Sequence, residues 1–348
     1  MSGQAVRTAV VGTTSWGTTL AIVMARQGHQ VVLWARTTEE AARLQADGEN
    51  KRLLPGYKFP HGLRVTSSSA EAFSQAQIVI FAVPSKSLRA NVCRVRDALP
   101  KDAVLLSATK GLEVSTGLRM SQVLRQELAG PLASRICVLS GPNLALEIVQ
   151  GRPASTVVAS EAEEVAARVQ RVLMSPHFRV YTNADVVGVE LAGALKNIIA
   201  LGAGIGDGLG YGNNAKSAFI TRGLVEITRL GVSAGANPLT FAGLAGLGDL
   251  IATAASPLSR NRYVGEQLAR GRPLRDVVAS MKNVAEGVDT TAAAVRMAGE
   301  LGVEMPITQA TYRVLFEGLD PRQAVAELMG RAPQPEWAGV SLTPPFER

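Results

Sequence analysis

Short continuous apolar runs alternate with amphipathic stretches through the first half of the chain. Residues 6–11, 30–34, 77–83, 103–107, 136–140, 155–159 and the short 178–181 carry the apolar continuity of strands buried on both faces. Segments of helical spacing lie between most of them. Residues 16–27 form one, with Gly28 just past its end where a helix is commonly terminated. Thr37 or Thr38 can cap a second. Strand–helix alternation of this kind predicts a doubly wound sheet.

From about Val186 the strand pattern stops. Residues 191–201 are helical and nearly all apolar, with Gly202, Gly204, Gly206, Gly208 and Gly210 expected to weaken the helix beyond them and to let backbones approach. Residues 217–230 place Leu224, Ile227 and Leu230 on one face and suggest an Arg222/Glu226 pair one turn apart. Residues 290–301 end at Gly302, and Asp320-Pro321 opens a helix that Gly330 closes. The pattern therefore predicts an α/β domain over 1–188, an all-helical domain over 189–330, and a proline-rich, poorly ordered tail over 331–348.

The stretch 186–210 is apolar enough to raise the question of a membrane span. Glu190, Lys196, Asn197 and Asp207 interrupt it, and a central lysine alone costs about 2.5–3.5 kcal/mol on insertion scales. A buried helix between domains is the better expectation. No signal peptide is apparent, and a cytoplasmic location is expected. Cys93 and Cys137 both lie in apolar surroundings and read as buried free thiols. His29, His61 and His177 are scattered, so no metal site is expected.

The net charge of +7 comes from basic residues spread along the chain without a block. That argues against nucleic acid and suits a small anionic ligand. Lysines are few, which draws attention to Lys110, Lys196 and Lys216.

The first strand runs into AVVGTTSWGTTLA, where a strand, a glycine turn and a helix meet. Gly12 and Gly17 stand at the outer positions of a dinucleotide-binding glycine fingerprint, and Thr14 replaces the middle glycine that admits a pyrophosphate. The helix N-terminus still offers N–H groups to an anion, and Thr13, Thr14 and Ser15 add hydroxyl donors. The alternative is a plain capped turn.

Later stretches add chemistry. Lys110 follows a strand in SATKGLE, where a surface loop is the alternative. SGPNLALE repeats the strand-then-glycine layout at Gly141, with Asn143 a candidate cap. Lys196 on an apolar helix is a candidate acid and base, because desolvation lowers a lysine's pKa. Asp249 in GLAGLGDL needs a partner or a capping role. Ser259, Arg260 and Asn261 in SRNR suit a phosphate, with a solvated helix start as the alternative. The second strand ends Leu33-Trp34-Ala35-Arg36-Thr37-Thr38 with no acid to hold a ribose 2′-hydroxyl. Arg36 is placed for a 2′-phosphate, so NADPH is expected in preference to NADH.

Taken in order, G-x-x-S-W-G-T, L-W-x-R, T-K-G, S-G-P, L-K-N, G-L-G-D-L, S-R-N-R and V-x-E-G resemble bacterial NAD(P)-dependent glycerol-3-phosphate dehydrogenase over about residues 6–330. The resemblance implies a Rossmann-like N-terminal domain, a helical C-terminal domain, and interconversion of sn-glycerol 3-phosphate and dihydroxyacetone phosphate for glycerophospholipid synthesis. It implies cofactor contacts at Gly12, Ser15, Trp16, Gly17, Arg36, Lys110, Ala145, Arg260, Val284 and Glu286. Lys110, Gly141, Asn143, Lys196, Asp249, Ser259, Arg260 and Asn261 match substrate positions, and Lys196 the proton-exchanging one, assisted by Lys110. The family usually has glycine at Thr14 and often a hydroxyl residue at Asn143. The partners implied are a small phosphate substrate and at most a second copy in a homodimer, with no nucleic acid and no stable membrane insertion. Two other readings are a β-hydroxyacid dehydrogenase, against which S-R-N-R and G-L-G-D-L argue, and a catalytically idle nucleotide-binding paralogue, which Thr14 motivates.

Overall fold

A computed structural model describes residues 5–128, 130–281 and 284–336. Of the tail expected over 331–348, residues 337–348 lie outside the described residues. The chain divides into two compact units: one comprises residues up to 109 together with 120–186, and the other 110–119 together with 187 onward.

The first unit is built on one sheet. Its strands are β1 (Arg7–Val11), β2 (Gln30–Trp34), β3 (Leu63–Thr66), β4 (Ile78–Phe81), β5 (Val104–Ser107), β6 (Ile136–Ser140), β7 (Ala154–Ala159) and β8 (Phe178–Asn183). They lie in the order β3-β2-β1-β4-β5-β6-β7-β8. All neighbours are parallel except β6 and β7, which are antiparallel. The order reverses at β1, whose Val10 sits between Leu33 of β2 and Ile80 of β4. Ligands of such sheets bind beyond the carboxyl ends of the strands at that reversal. Val10, Leu33, Ile80 and Leu106 belong to one buried core with the helix α1 (Ser15–Arg26). Burial on both faces explains why these strands read as unbroken apolar runs.

β3 carries no such run. Leu63 and Val65 are buried while Arg64 is exposed, as expected of a strand at the sheet edge. Its shortness left it without a signal in the sequence. Thr37 caps the helix α2 (Thr38–Asp47), accepting from the Glu40 N–H at 3.2 Å.

The described part of the second unit has no strand element. Its long helix, Val186–Gly208, is continuous through Gly202, Gly204 and Gly206. The expected weakening fails where Gly202 and Gly204 meet neighbours at close range, whereas Gly206 faces open space. A Cβ on Gly204 would stand 2.0 Å from the Arg262 carbonyl oxygen, and one on Gly202 2.2 Å from the Phe219 ring. Packing at this distance outweighs the helix penalty of glycine, roughly 1 kcal/mol each. The helix is long and apolar enough to cross a membrane, and 83% of its most apolar window is buried inside the protein.

Two further expectations are corrected. Cys93 is exposed, and its thiol donates to Glu127 at 3.1 Å; only Cys137 is buried. Arg222 and Glu226 do not pair. Glu226 is buried and accepts from the N–H groups of Ile307 and Thr308, each at 2.8 Å, and from the Thr308 hydroxyl. It closes the N-terminus of the helix Pro306–Phe316, while Arg222 donates to the Glu336 carbonyl. Desolvation raises the Glu226 pKa despite these donors.

Candidate functional site

In the first unit, the turn after β1 is set by backbone geometry. Gly12 has a φ of +119°, and a Cβ there would meet the Ala82 carbonyl oxygen at 2.7 Å. A Cβ on Gly17 would stand 2.1 Å from the Gly12 carbonyl oxygen. Both positions therefore require glycine.

Thr14 is the N-cap of α1: its hydroxyl accepts from the Gly17 N–H at 3.0 Å and donates to the Ala82 carbonyl at 2.7 Å. It thus ties the carboxyl ends of β1 and β4 together. The Thr13 hydroxyl donates to Glu40 at 2.8 Å. Two of the three hydroxyls expected to face an anion are therefore already spent, which leaves Ser15. The first-turn N–H groups of Ser15 and Trp16 precede the one that Thr14 caps.

Arg36 is exposed just beyond β2. Among the described residues, the buried indole Nε1 of Trp16 finds no acceptor and the buried Oδ1 of Asn143 no donor. Asn143 is not a cap: its amide donates to the Thr156 hydroxyl at 3.0 Å, and the helix Ala145–Val149 starts two residues later behind Leu144. Gly141 follows β6 with a φ of +144°, and a Cβ there would press on Thr156 at 3.0 Å. Ala145 opens the next helix, and its carbonyl accepts from Thr19 at 3.3 Å. A turn that excludes Cβ atoms, an open helix N-terminus and unsatisfied buried polar atoms fit a dinucleotide at this end of the sheet.

In the second unit, three residues far apart in sequence converge. Lys110 donates to Asp249 Oδ2 at 2.6 Å and Lys196 donates to Oδ1 at 3.1 Å. The side chains of Lys196 and Asp249 are 6% and 3% exposed, and that of Lys110 20%. Asp249 opens the helix Asp249–Ala255 after a π-turn over Leu244–Gly248; it is not an N-cap. Thr253, one turn on, also accepts from Lys196. Burial pulls the Lys196 pKa down to about 8; Asp249 opposes the shift, and Lys110 and Arg260 reinforce it.

An ammonium has three donors. Among the described residues, Lys196 directs donors only to Asp249 and Thr253. One N–H is left for a ligand.

The SRNR residues divide their work. Ser259 caps the helix Arg260–Ala269, accepting from the Arg262 N–H at 3.2 Å. Arg260 is exposed and donates to the Val284 carbonyl at 2.5 Å. Asn261 is buried; it donates to Asn197 at 2.8 Å and accepts from the Gly287 N–H at 3.0 Å. Val284 and Glu286 lie at the start of the helix Glu286–Leu301. Lys216 pairs with Asp207 at 2.8 Å, beside Arg262, and takes no part in this cluster. A cavity of about 840 Å³ elsewhere in this unit is bordered by Lys216, Phe219, Ile307 and Leu328, and by none of the cofactor or substrate candidates. Sequence reasoning missed Thr253 and Asn197. Each had a signal: Thr253 is one helical turn beyond Asp249, and Asn197 adjoins Lys196.

Two family models match, described as the N-terminus and the C-terminus of NAD-dependent glycerol-3-phosphate dehydrogenase, over residues 7–166 and 185–326. The chain belongs to the NAD-dependent glycerol-3-phosphate dehydrogenase family. A relative from Dehalococcoides mccartyi, named glycerol-3-phosphate dehydrogenase with NAD(P)+ as its stated cofactor, is 53% identical over 95% of this chain and 92% of its own. One from Chlorobium limicola with the same name is 52% identical over 94% and 98%. The crystal structure of glycerol-3-phosphate dehydrogenase from Coxiella burnetii superposes with a TM-score of 0.89 at 36% identity, covering 94% of this chain and 99% of that one.

Proposed function

We propose that this protein interconverts dihydroxyacetone phosphate and sn-glycerol 3-phosphate with a nicotinamide cofactor. The observation that carries this reading is the unspent N–H of a buried Lys196 held by Asp249 and Thr253, in a chain whose relatives bear that name. The bound nicotinamide supplies or accepts the hydride at C2.

In the reducing direction, Lys196 Nζ gives its proton to the C2 oxygen as that oxygen gains negative charge. Lys110 supplies a second positive charge to the same oxygen. Asp249 keeps both amines in place, and Lys196 is reprotonated from solvent. In the oxidising direction the neutral amine takes the C2 hydroxyl proton. A pKa near 8 serves both steps close to neutral pH. Arg260 and Asn261 orient the phosphate, with Ser259 fixing their helix start. Gly141 and Asn143 are carried over as substrate residues by the family's pattern.

Gly12, Ser15, Trp16, Gly17, Arg36 and Ala145 of the first unit are the cofactor residues, and Lys110, Arg260, Val284 and Glu286 are carried over as cofactor residues by the family's pattern. Arg36 favours NADPH, because β2 ends without an acid. The product enters glycerophospholipid synthesis, the location is cytoplasmic, and any partner is a second copy, which sedimentation of the purified protein would reveal.

Mixing the purified protein with NADPH and dihydroxyacetone phosphate tests the reaction. Loss of nicotinamide absorbance is expected. Tight NADPH binding without turnover would instead mark an idle paralogue, and turnover confined to β-hydroxyacids would mark the other dehydrogenase class.

A further inference from the structure

The excursion 110–119 leaves the sheet unit after β5 and belongs to the helical unit. It is closed as a hairpin by an antiparallel bridge between Leu112 and Arg119. The Glu113 N–H donates to the Leu118 carbonyl at 2.9 Å, and the Gly117 N–H to the Glu113 carbonyl at 2.7 Å. Leu112 is fully buried, and Arg296 donates to the Ser115 carbonyl at 3.3 Å. An ion pair stands at each end of the hairpin. Lys110 meets Asp249 at 2.6 Å, and Arg119 meets Glu190 at 2.6 Å. The second pair is also well buried, at 16% and 6% exposure. Glu190 and Lys196 share the Val186–Gly208 helix, roughly 9 Å apart along its axis at about 1.5 Å per residue.

We infer that Arg119 and Glu190 are positioning residues: their ion pair clasps the end of the hairpin to the helix that carries Lys196, and so fixes Lys110, at the hairpin's start, against Asp249. The inference rests on the reading above that Lys110, Asp249 and Lys196 serve the reaction. The backbone bridge makes the two ends of the hairpin move together. Low exposure keeps the outer pair unscreened, and removing one member of a buried ion pair is strongly destabilising. Breaking the clasp therefore lets the hairpin shift and loosens Lys110.

The groups facing Lys196 are Asp249 and Thr253 from one helix, Lys110 from the hairpin and Arg260 from the helix that follows. Loosening Lys110 removes one cation and leaves Asp249 to Lys196 and the Thr253 hydroxyl. Both changes strengthen the hold of Lys196 on its proton.

The test uses the full chain as Arg119→Met, Glu190→Gln and Arg119→Lys, with two readouts. One is the titration of Lys196 in the free protein, followed by NMR of lysines labelled with 13C at Cε. The other is kcat for reduction of dihydroxyacetone phosphate by NADPH. Arg119→Met and Glu190→Gln should move the Lys196 midpoint to higher pH and lower kcat on the order of 10²-fold, the scale of a small misplacement of catalytic groups. Arg119→Lys should recover most of both. Folded variants with an unmoved midpoint and wild-type kcat would overturn the inference, even with a lower Tm. Glu190→Gln keeps the side-chain shape and carries the test if Arg119→Met does not fold. Absence of turnover in the wild type would sink only the functional reading, because the titration is read without substrate.

Discussion

The glycine turn of the first unit and the lysine–aspartate cluster of the second meet charge in opposite ways. The turn is contiguous, from Gly12 to Gly17, and works through backbone: N–H groups, a helix dipole and two positions where no Cβ fits. The cluster is assembled from Lys110, Lys196 and Asp249, and works through side-chain charge in a buried setting. The difference predicts where each is fragile. The turn should tolerate changed side chains and fail when backbone is crowded. The cluster should fail when a single charged atom is lost.

The largest expected effect tests the cluster. Lys196→Ala should lower kcat by about 10²–10⁴-fold, the usual contribution of a positioned acid or base, while NADPH affinity stays near wild type. Steady-state kinetics beside cofactor titration would decide it; wild-type kcat would end the proton-transfer assignment. The wild type offers a companion measurement. Burial holds Lys196 at about 8. Ketone reduction needs the protonated amine, so its rate should fall as pH rises through that value. Alcohol oxidation needs the neutral amine and should rise there. A profile flat across this range would assign the proton to another group.

Removal of a charge at the end of β2 comes next. Arg36→Ala should erase a preference for NADPH over NADH of about 10- to 150-fold in kcat/KM, corresponding to about 1.5–3 kcal/mol for a charged hydrogen bond. Salt should shrink it, since Arg36 is exposed. Equal use of both cofactors by the wild type would remove Arg36 from the site.

Two substitutions in the turn itself sharpen the contrast. Gly17→Ala forces a Cβ to 2.1 Å from the Gly12 carbonyl oxygen. It should cost about 1–3 kcal/mol in overpacking and lower both Tm and NADPH affinity. Thr14→Gly removes a cap, for which glycine substitutes at a cost of only a few tenths of a kcal/mol. Its hydroxyl is engaged by Ala82 and Gly17, so NADPH affinity should change by less than about tenfold, or 1.4 kcal/mol. A larger loss would make that hydroxyl a ligand and blur the distinction between the two regions.

Much of the fold was legible from the chain. Strands β1, β2, β4, β5 and β6 are buried on both faces and announce themselves as apolar runs. Gly28, Thr37, Gly302 and Asp320 mark helix ends by local chemistry that needs no distant partner. β3 was silent, because an edge strand of alternating exposure is too short to stand out. The motif stretches brought Lys110, Lys196 and Asp249 to notice separately, each as an unusual charge in an apolar or glycine-rich setting.

What the sequence determined by itself is therefore local: which segments are strands or helices, where turns require glycine, and which ionisable residues sit in surroundings that demand a partner. Tertiary structure decided which partner each one found. Glu226 faced Arg222 by spacing, yet caps a helix that begins at Pro306. Thr14 stood out as a missing glycine, and its hydroxyl braces the strand ends. Lys196 finds its carboxylate at Asp249, and the hairpin that carries Lys110 leaves its neighbouring strands to join the helices. Local propensity depends on bonds and near neighbours, whereas burial, ion pairing and the pKa of a lysine depend on groups that only the folded chain brings within a few ångströms.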